Sequence, residues 1–547
     1  MSKRILIVGG VAGGASCAAR ARRMSEDAEI IIFDRGPYVS FANCGLPYYV
    51  GDVITEEKKL LVANTDLFKN RFNIEVRVEN EVLSIDRDAC EIEVKNLQTG
   101  EIYREKYDAL VLAPGAAPVR PPLEGIDLPG IFPLRTIPDS RKIRQWISDR
   151  QVKQAVVVGG GFIGLEMTEN LLHRGISVTL VEMLPQVMPA FDPEMMTQVH
   201  QRLQASGVQL LLGDGVSKFE QTADDRLCVR TRSGNTHLAE LVILGIGVRP
   251  EAKLAKDAGL DIGEKGGIRV NENMKTNDDR IWAVGDAVEV RDYVTGEWVL
   301  IPLAGPANRQ GRIAADNIFG RDAKFRGVQG TTICGAFDLI MAATGANEKT
   351  LRQVGIEYEK VYLHPGHHVG YYPGAKPIAM KMLFSVPEGK VLGAQAVGEE
   401  GIEKRIDAIA MAIQRHSTVF DLEEAELCYA PQFGAAKDPV NMAGMIAANG
   451  LRGDAPVVHW EDIEGTDATI VDVREPGEFE AGHLEGAVNV PLSQLRERMD
   501  ELPRDRPLWV YCQVGQRAYY ATRALRLQGF DVYNLTGGFK TYQAVSS

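Results

Sequence analysis

The stretch AVVVGGGFIGLEMTENLLHRGISVTLVEM, beginning at Ala155, constrains the chain more than any other. A short apolar run leads into Gly159, Gly161 and Gly164 in G-x-G-x-x-G spacing, a helical pattern follows and closes at Gly175, and SVTLVE ends at Glu182. This is a strand, turn, helix and strand. Its glycines let the backbone approach a pyrophosphate at the helix N-terminus, and its terminal acid can accept from a ribose hydroxyl. Glu182 favours a free 2′-hydroxyl, and Met183 beside it supplies no cation for a 2′-phosphate, so the motif reads as NADH rather than NADPH. Arg174 is the one nearby cation that argues the other way.

A second copy opens the chain. RILIVGGVAGGASCAARARR runs from an apolar strand into a glycine-rich turn and helix, and EIIIFDR ends at Asp34. Gly9 and Gly14 fit the first and third glycines, with Val11 at the second. Two dinucleotide folds imply two dinucleotides. DDRIWAVGDAVEV brings an apolar strand to Gly285 and Asp286, whose carboxylate can receive a flavin ribityl hydroxyl. YDALVLAPGAAPVRPP, with Gly115, and LVILGIGVRPE complete the set. Over roughly residues 1–445 these motifs resemble the FAD- and NAD-dependent pyridine nucleotide–disulfide reductases. In that family the last two segments are where the chain crosses between flavin and nicotinamide domains.

Composition closes off other classes. The net charge is −13 with no basic block, which argues against nucleic-acid binding. One long stretch without Lys, Arg, Asp or Glu, Val361–Ala375, holds three His, three Gly and two Pro, so it is no membrane span. MSKRILIVGG enters a strand directly, without the order of a signal peptide. Seven scattered cysteines do not form a disulfide framework. The expectation is a cytoplasmic protein with reduced thiols.

Cys44 lies in SFANCGLPYY, where flavin-linked disulfide reductases usually carry two cysteines four residues apart, and Tyr49 stands where the second would be. The segment resembles the single-cysteine branch of the family: coenzyme A–disulfide reductases, persulfide reductases, and NADH oxidases or peroxidases. The resemblance puts Cys44 on the redox cysteine, with Ser40 and Asn43 as neighbours. A lone thiolate stores two electrons only with an outside partner, as a mixed disulfide, a persulfide or a sulfenic acid. Arg20 and Arg23, with Arg22 between them, are candidates to meet an anionic substrate tail. HPGHHVGYYPG and LCYAPQFGAAKDPVNMAG resemble the dimerisation region of coenzyme A–disulfide reductases. There a tyrosine from each stretch reaches across the dimer to the redox cysteine, which implies Tyr429 and, in preference to Tyr372, Tyr371. A phenol near a departing sulfur can protonate it. His364, His367 and His368 have no accompanying acid or cysteine in sequence, and no metal is assigned. Cys17, Cys90, Cys228, Cys334 and Cys428 carry no motif and read as structural.

The character changes after residue 446. ATIVDVREPGEFEAGHLEGAVNVPL carries Asp472, Arg474, Glu478 and the Gly482–His483 pair, and PLWVYCQVGQRAYYATRALRLQGF delivers Cys512 into a loop ending at Arg517 before a helix. Roughly residues 456–547 resemble a single-domain rhodanese. Strand, cysteine loop and helix make an anion cradle that can hold a persulfide. The loop C-Q-V-G-Q-R is one residue shorter than that of related phosphatases, which fits sulfur transfer.

The expected fold is α/β: two Rossmann-like FAD and NAD domains, an α+β dimerisation domain and an α/β rhodanese domain. The expected boundaries are 1–120 and 251–325 for the FAD domain, 121–250 for the nicotinamide domain, 326–446 for dimerisation, 447–457 as linker and 458–547 for the rhodanese. The linker, from about Asn449 to Val457, contains two Gly and a Pro. Read as flexible, it spans roughly 15–18 Å and permits some rocking. The expected activity is NADH- and FAD-dependent reduction of coenzyme A persulfide, polysulfide or coenzyme A disulfide through Cys44 in a homodimer. Cys512 would supply sulfane sulfur, and coenzyme A would serve as substrate or carrier. The alternatives are an NADH oxidase or peroxidase using a Cys44 sulfenic acid, and a sulfur-carrier or redox-sensing protein.

Overall fold

The computed structural model describes residues 3–546. They form two compact units, one of residues up to 187 with 207–328, the other of 188–206 with 329 onward. No helix among the described residues is long and apolar enough to cross a membrane.

The first unit contains both nucleotide-binding sheets. The strand Arg4–Val8 pairs in parallel with Glu29–Asp34 on one side and Ala109–Leu112 on the other; Glu75–Val78 and Ile281–Ala283 complete a five-stranded sheet. The continuous Ile and Val runs of these strands are buried, as parallel strands covered on both faces require. Ile281–Ala283 comes from far down the chain, so this sheet is built from two separated segments. The second sheet has the order Gln209–Leu211, Ser177–Val181, Gln154–Val158, Leu241–Leu244, Ile131–Pro133. The two crossing segments pair antiparallel, Ala116–Pro118 with Val248–Pro250. The helix Ala12–Met24 packs closely on Ala304–Ile318: a Cβ on Gly311 would lie 2.3 Å from the Gly13 carbonyl oxygen.

The second unit is built on a five-stranded antiparallel sheet in the order Thr332–Ala336, Leu339–Gly345, Val391–Gly398, Ile378–Ser385, Tyr358–Leu363. Its C-terminal part is a parallel five-stranded sheet, Val457–Val458, Val532–Leu535, Leu508–Tyr511, Thr469–Asp472, Val488–Asn489, around a core of Val471, Val510, Ala521 and Leu525. Helix Pro193–Ala205, from the nicotinamide stretch of the sequence, belongs to this unit.

The two sheets of this unit are joined firmly. The segment expected as a linker from 447 begins inside helix Pro439–Leu451, and only residues 452–456 precede the strand at Val457. The helix runs on because Gly444 lets it press against helix Val419–Glu423, where a Cβ would lie 2.4 Å from the Glu423 nitrogen. Tyr362 N–H donates to Thr536 Oγ1 (2.9 Å), His364 Nε2 meets Thr541 Oγ1 (2.8 Å) and His459 Nε2 meets Glu359 (2.6 Å). Beneath these contacts lies a buried charge network. The Lys381 ammonium, at 0% side-chain exposure, meets Asp192 (2.7 Å), Glu194 (2.5 Å) and Glu348. Lys360 bridges Glu348 (3.0 Å) to Glu461 of the C-terminal part. Three carboxylates thus converge on an ammonium, and the pairing holds Glu348 down to about 2 despite its burial.

Candidate functional site

Gly9 and Gly159 sit at φ +93° and +103°, where a side chain is strained. A Cβ on Gly14 would lie 1.9 Å from the Gly9 carbonyl oxygen, and one on Gly164 would lie 1.8 Å from that of Gly159. Each helix therefore meets its turn with no room for a side chain. Gly161 faces open space, leaving its backbone approachable by a pyrophosphate. Asp34 accepts from the N–H groups of Gly10 and Gly36, both at 2.9 Å. Burial pushes its carboxyl up, and those two bonds pull it down. Glu182 is buried and accepts from Gly160 N–H (2.6 Å) and Leu184 N–H (2.7 Å). Both acids keep lone pairs for a ribose. Gly285, at φ +86°, donates its N–H to Gln310 (2.7 Å), and Asp286 pairs with Arg135 (3.1 Å), beside Gly115. The donor set fits a dinucleotide at each turn.

Cys44 is exposed on the short turn Asn43–Gly45, before helix Leu46–Val50. Ser40 holds φ +49°, an unusual conformation for a residue with a side chain, and its N–H donates to Gly10 O (2.8 Å), tying the cysteine loop to the first turn. Asn43 Oδ1 is buried without a hydrogen-bond partner. Tyr49 is buried under the Arg144 guanidinium, 4.2 Å from its ring, so the second-cysteine position is a packing position. Arg144 and Arg174 both pair with Asp52, at 2.6 and 3.3 Å. Burial pushes the Cys44 thiol up, the Glu166 and Asp286 charges push further, and Arg135 opposes them. Glu166 is raised by burial to about 7 while Tyr48 hydrogen-bonds it. Glu166 and Arg135 were not singled out by the sequence. Glu166 lies inside the GGGFIGLE motif, where helical spacing could have pointed to it; Arg135 carries no local signal.

Of the basic residues on the first helix, Arg20 is held by Asp316 (2.7 Å), each side chain at 12% exposure. Arg22 is buried and donates to five carbonyls. Arg23 is exposed.

Tyr371 and Tyr429, 58 positions apart, bring their hydroxyls to 2.8 Å on the surface, and that bond raises Tyr371. Tyr372 instead sets its ring edge-on to His368 (5.4 Å). The stretches bearing the two phenols are tied together by buried Arg405, which donates to Asp438 (2.8 Å) and His367 O (2.8 Å), and by Val369 N–H to Gly434 O (3.0 Å). Arg405 is another residue the sequence did not mark. His367 meets Glu400 at 3.2 Å and stacks on His368, and burial holds His364 down to about 3.

Cys512 is fully buried at the end of strand Leu508–Tyr511, and Gly515 at φ +91° starts helix Gln516–Leu527. The N–H groups of Gln513, Val514 and Gly515 have no acceptor among the described residues, so they stand ready for an anion. Arg517 forms two parallel bonds to Glu478 (2.6 and 2.7 Å) and also reaches Cys512. Arg474 is buried, paired with Asp472 (2.6 Å), and donates to Gln513 Oε1 (3.2 Å) and Gly482 O (2.7 Å), bracing the loop.

Comparison with known proteins agrees with this anatomy. Residues 3–311 match the pyridine nucleotide-disulphide oxidoreductase model, 332–438 its dimerisation domain, and 456–545 the rhodanese-like domain. A coenzyme A disulfide reductase of Staphylococcus haemolyticus is 35% identical over 81% of this chain and 98% of its own. The solved structure of reduced Bacillus anthracis CoADR-RHD is 47% identical with TM-score 0.97, covering 100% of this chain and 98% of that one. An NAD-dependent persulfide reductase from A. fulgidus is 36% identical with TM-score 0.91, covering 98% and 100%. The chain belongs to the pyridine nucleotide-disulphide oxidoreductase family and carries a rhodanese-like domain at its C-terminal end.

Proposed function

We propose that this enzyme uses NADH and FAD to reduce coenzyme A persulfide, polysulfide or coenzyme A disulfide at Cys44, with Cys512 taking up sulfane sulfur. The observation that carries the reading is one exposed thiol beside the first glycine-rich turn, joined in the same chain to a second cysteine at a loop whose N–H groups have no acceptor among the described residues. The likeness to a coenzyme A disulfide reductase and a persulfide reductase supports the substrate class.

FAD bound at the first turn supplies two-electron transfer between nicotinamide and sulfur. Cys44 thiolate attacks the substrate disulfide or persulfide, forms Cys44–S–S–R and releases one thiolate or hydrosulfide. Two electrons and one proton then return Cys44 thiolate and R–SH. Glu166, near 7, can hold or release a proton beside this sulfur. Ser40 and Asn43 set the loop. In the homodimer proposed here, the Tyr371–Tyr429 pair serves the other protomer's redox loop and protonates the departing thiolate. Arg23, which is exposed, would meet an anionic tail, a role open to Arg20 only if it leaves Asp316. NADH over NADPH is supported by Glu182, which would accept from a free 2′-hydroxyl, and by Arg174, which is held by Asp52 and Val50 O (3.1 Å).

The rhodanese part is pinned to the antiparallel sheet, and only residues 452–456 connect them. This supports coenzyme A as a diffusible sulfur carrier over a swinging domain. The test is NADH turnover with polysulfide, with and without coenzyme A. Coenzyme A should stimulate wild type and not Cys512→Ser, and equal responses would sever Cys512 from the reductive step. Faster turnover with oxygen or peroxide than with polysulfide would assign Cys44 to sulfenic acid chemistry. Flavin bleaching by NADH without turnover on any acceptor would make the chain a carrier or sensor.

A further inference from the structure

We infer that Glu478 sets the donor preference of the Cys512 site: by neutralising Arg517 it tunes the cradle for singly charged alkyl persulfides and against the thiosulfate dianion. The inference rests on Cys512 being a sulfane-sulfur acceptor and adds the residue that chooses the donor.

Arg517 is the only charged side chain of the loop C-Q-V-G-Q-R. An unpaired guanidinium there would add a full positive charge beside Cys512. Instead both its Nη atoms are held by the Glu478 carboxylate, Nη1 by Oε2 at 2.6 Å and Nη2 by Oε1 at 2.7 Å, fork against fork. Arg517 holds Glu478 below the usual carboxylate range, so the pair stays ionised and its net charge is zero at working pH. The other guanidinium at the loop, Arg474, is cancelled by Asp472, which takes its Nε (2.9 Å) and Nη2 (2.6 Å). Lys540 donates its backbone N–H to Gln513 O (3.0 Å), and the charge of its side chain is felt at His364.

Apart from Lys540, what remains to attract an anion is a set of dipoles: the N–H groups of Gln513, Val514 and Gly515, and the N-terminus of the twelve-residue helix Gln516–Leu527. A helix end carries about half a unit charge. That suits one negative sulfur better than a sulfonate bearing a second charge. In each transfer the Cys512 thiolate attacks the outer sulfur. With R–S–S⁻ the products are Cys512–S–S⁻ and R–S⁻; with thiosulfate they are Cys512–S–S⁻ and sulfite dianion. Electrons and charge balance without an added oxidant, and only the second reaction brings a dianion to the cradle, as donor at the start of the step and as leaving group at its end.

The test uses the full-length enzyme with cyanide as acceptor and either thiosulfate or 2-hydroxyethyl persulfide as donor. In Glu478→Gln the ratio of kcat/KM for thiosulfate to that for the persulfide should rise about tenfold, mainly through the thiosulfate KM. The thiosulfate reaction should also become more sensitive to salt. Glu478→Asp, which keeps the charge, should retain the wild-type ratio. The Glu478→Gln/Arg517→Gln double variant should return to it, which provides a second reading if the single variant folds poorly. An unchanged ratio, or equal loss with both donors, would reduce Glu478 to a structural role and overturn the inference. If wild type transfers sulfur from neither donor, the acceptor role of Cys512 falls first and the inference falls with it.

Discussion

The two cysteines are set in opposite ways. Cys512 is fully buried on a contiguous strand, loop and helix, and the charged group that reaches it, Arg517, lies five residues on in the same loop. Cys44 is exposed, and the charges that act on it, Glu166, Asp286 and Arg135, come from distant parts of the chain. The protein alone pushes the Cys44 thiol up, which disfavours the reactive thiolate. The Cys512 site thus has its electrostatics within a short stretch of chain, whereas in the proposed mechanism a reactive Cys44 thiolate depends on more than the protein's own charges.

The sharpest way to break this contrast is reciprocal substitution. Cys44→Ser should lower NADH-dependent disulfide and persulfide reduction by at least about a thousandfold, while NADH still bleaches the flavin and thiosulfate:cyanide transfer continues. Cys512→Ser should do the reverse, abolishing sulfur transfer and sparing coenzyme A disulfide reduction. Loss of both activities in either variant would mean the halves are not separable.

Lys381→Met probes what holds the rhodanese part in place. It strands Asp192 and Glu194 without a cation and leaves Glu348 to Lys360 and Arg352, and should cost about 3–5 kcal/mol of stability, read by thermal or urea unfolding. A variant as stable as wild type would show that the network is not what holds the two sheets together. Glu182→Ala should raise the NADH KM by one charge-assisted hydrogen bond, about 1.5–3 kcal/mol, with sulfur transfer untouched. A wild type that prefers NADPH would overturn the ribose assignment.

Tyr429→Phe should slow reduction of the coenzyme A substrate about tenfold and flavin reduction much less, because it acts on the leaving thiolate. Equal slowing of both half-reactions would point to packing alone. The smallest effect concerns Glu166. Its carboxyl is raised to about 7, so it is mostly neutral at pH 6 and ionised at pH 8.5. Only in the ionised form does it oppose a Cys44 thiolate. Glu166→Gln should therefore speed alkylation of Cys44 about two- to threefold at pH 8.5 and leave it unchanged at pH 6. Acceleration at both pH values would rule out the charge of Glu166 as the cause.

The sequence by itself determined both nucleotide turns, the strands and helices that flank them, the lone Cys44 and the Cys512 loop. Each depends on a glycine, an acid or a sulfur at fixed short spacing, and such geometry is set by local backbone sterics. The helix Pro439–Leu451 marks the limit of that logic. Gly450 and the following Gly-Asp-Ala-Pro read as a linker, and only the surface of helix Val419–Glu423 makes Gly444 a close-packing residue. Tertiary structure alone decided that Arg20 is held by Asp316 and that Glu166 and Arg135 share the field of Cys44. It also decided that helix Pro193–Ala205 and the rhodanese part share one buried ionic network. Charge pairing across long sequence separation leaves no periodic trace. Coulomb attraction depends on distance in space, and the fold sets that distance.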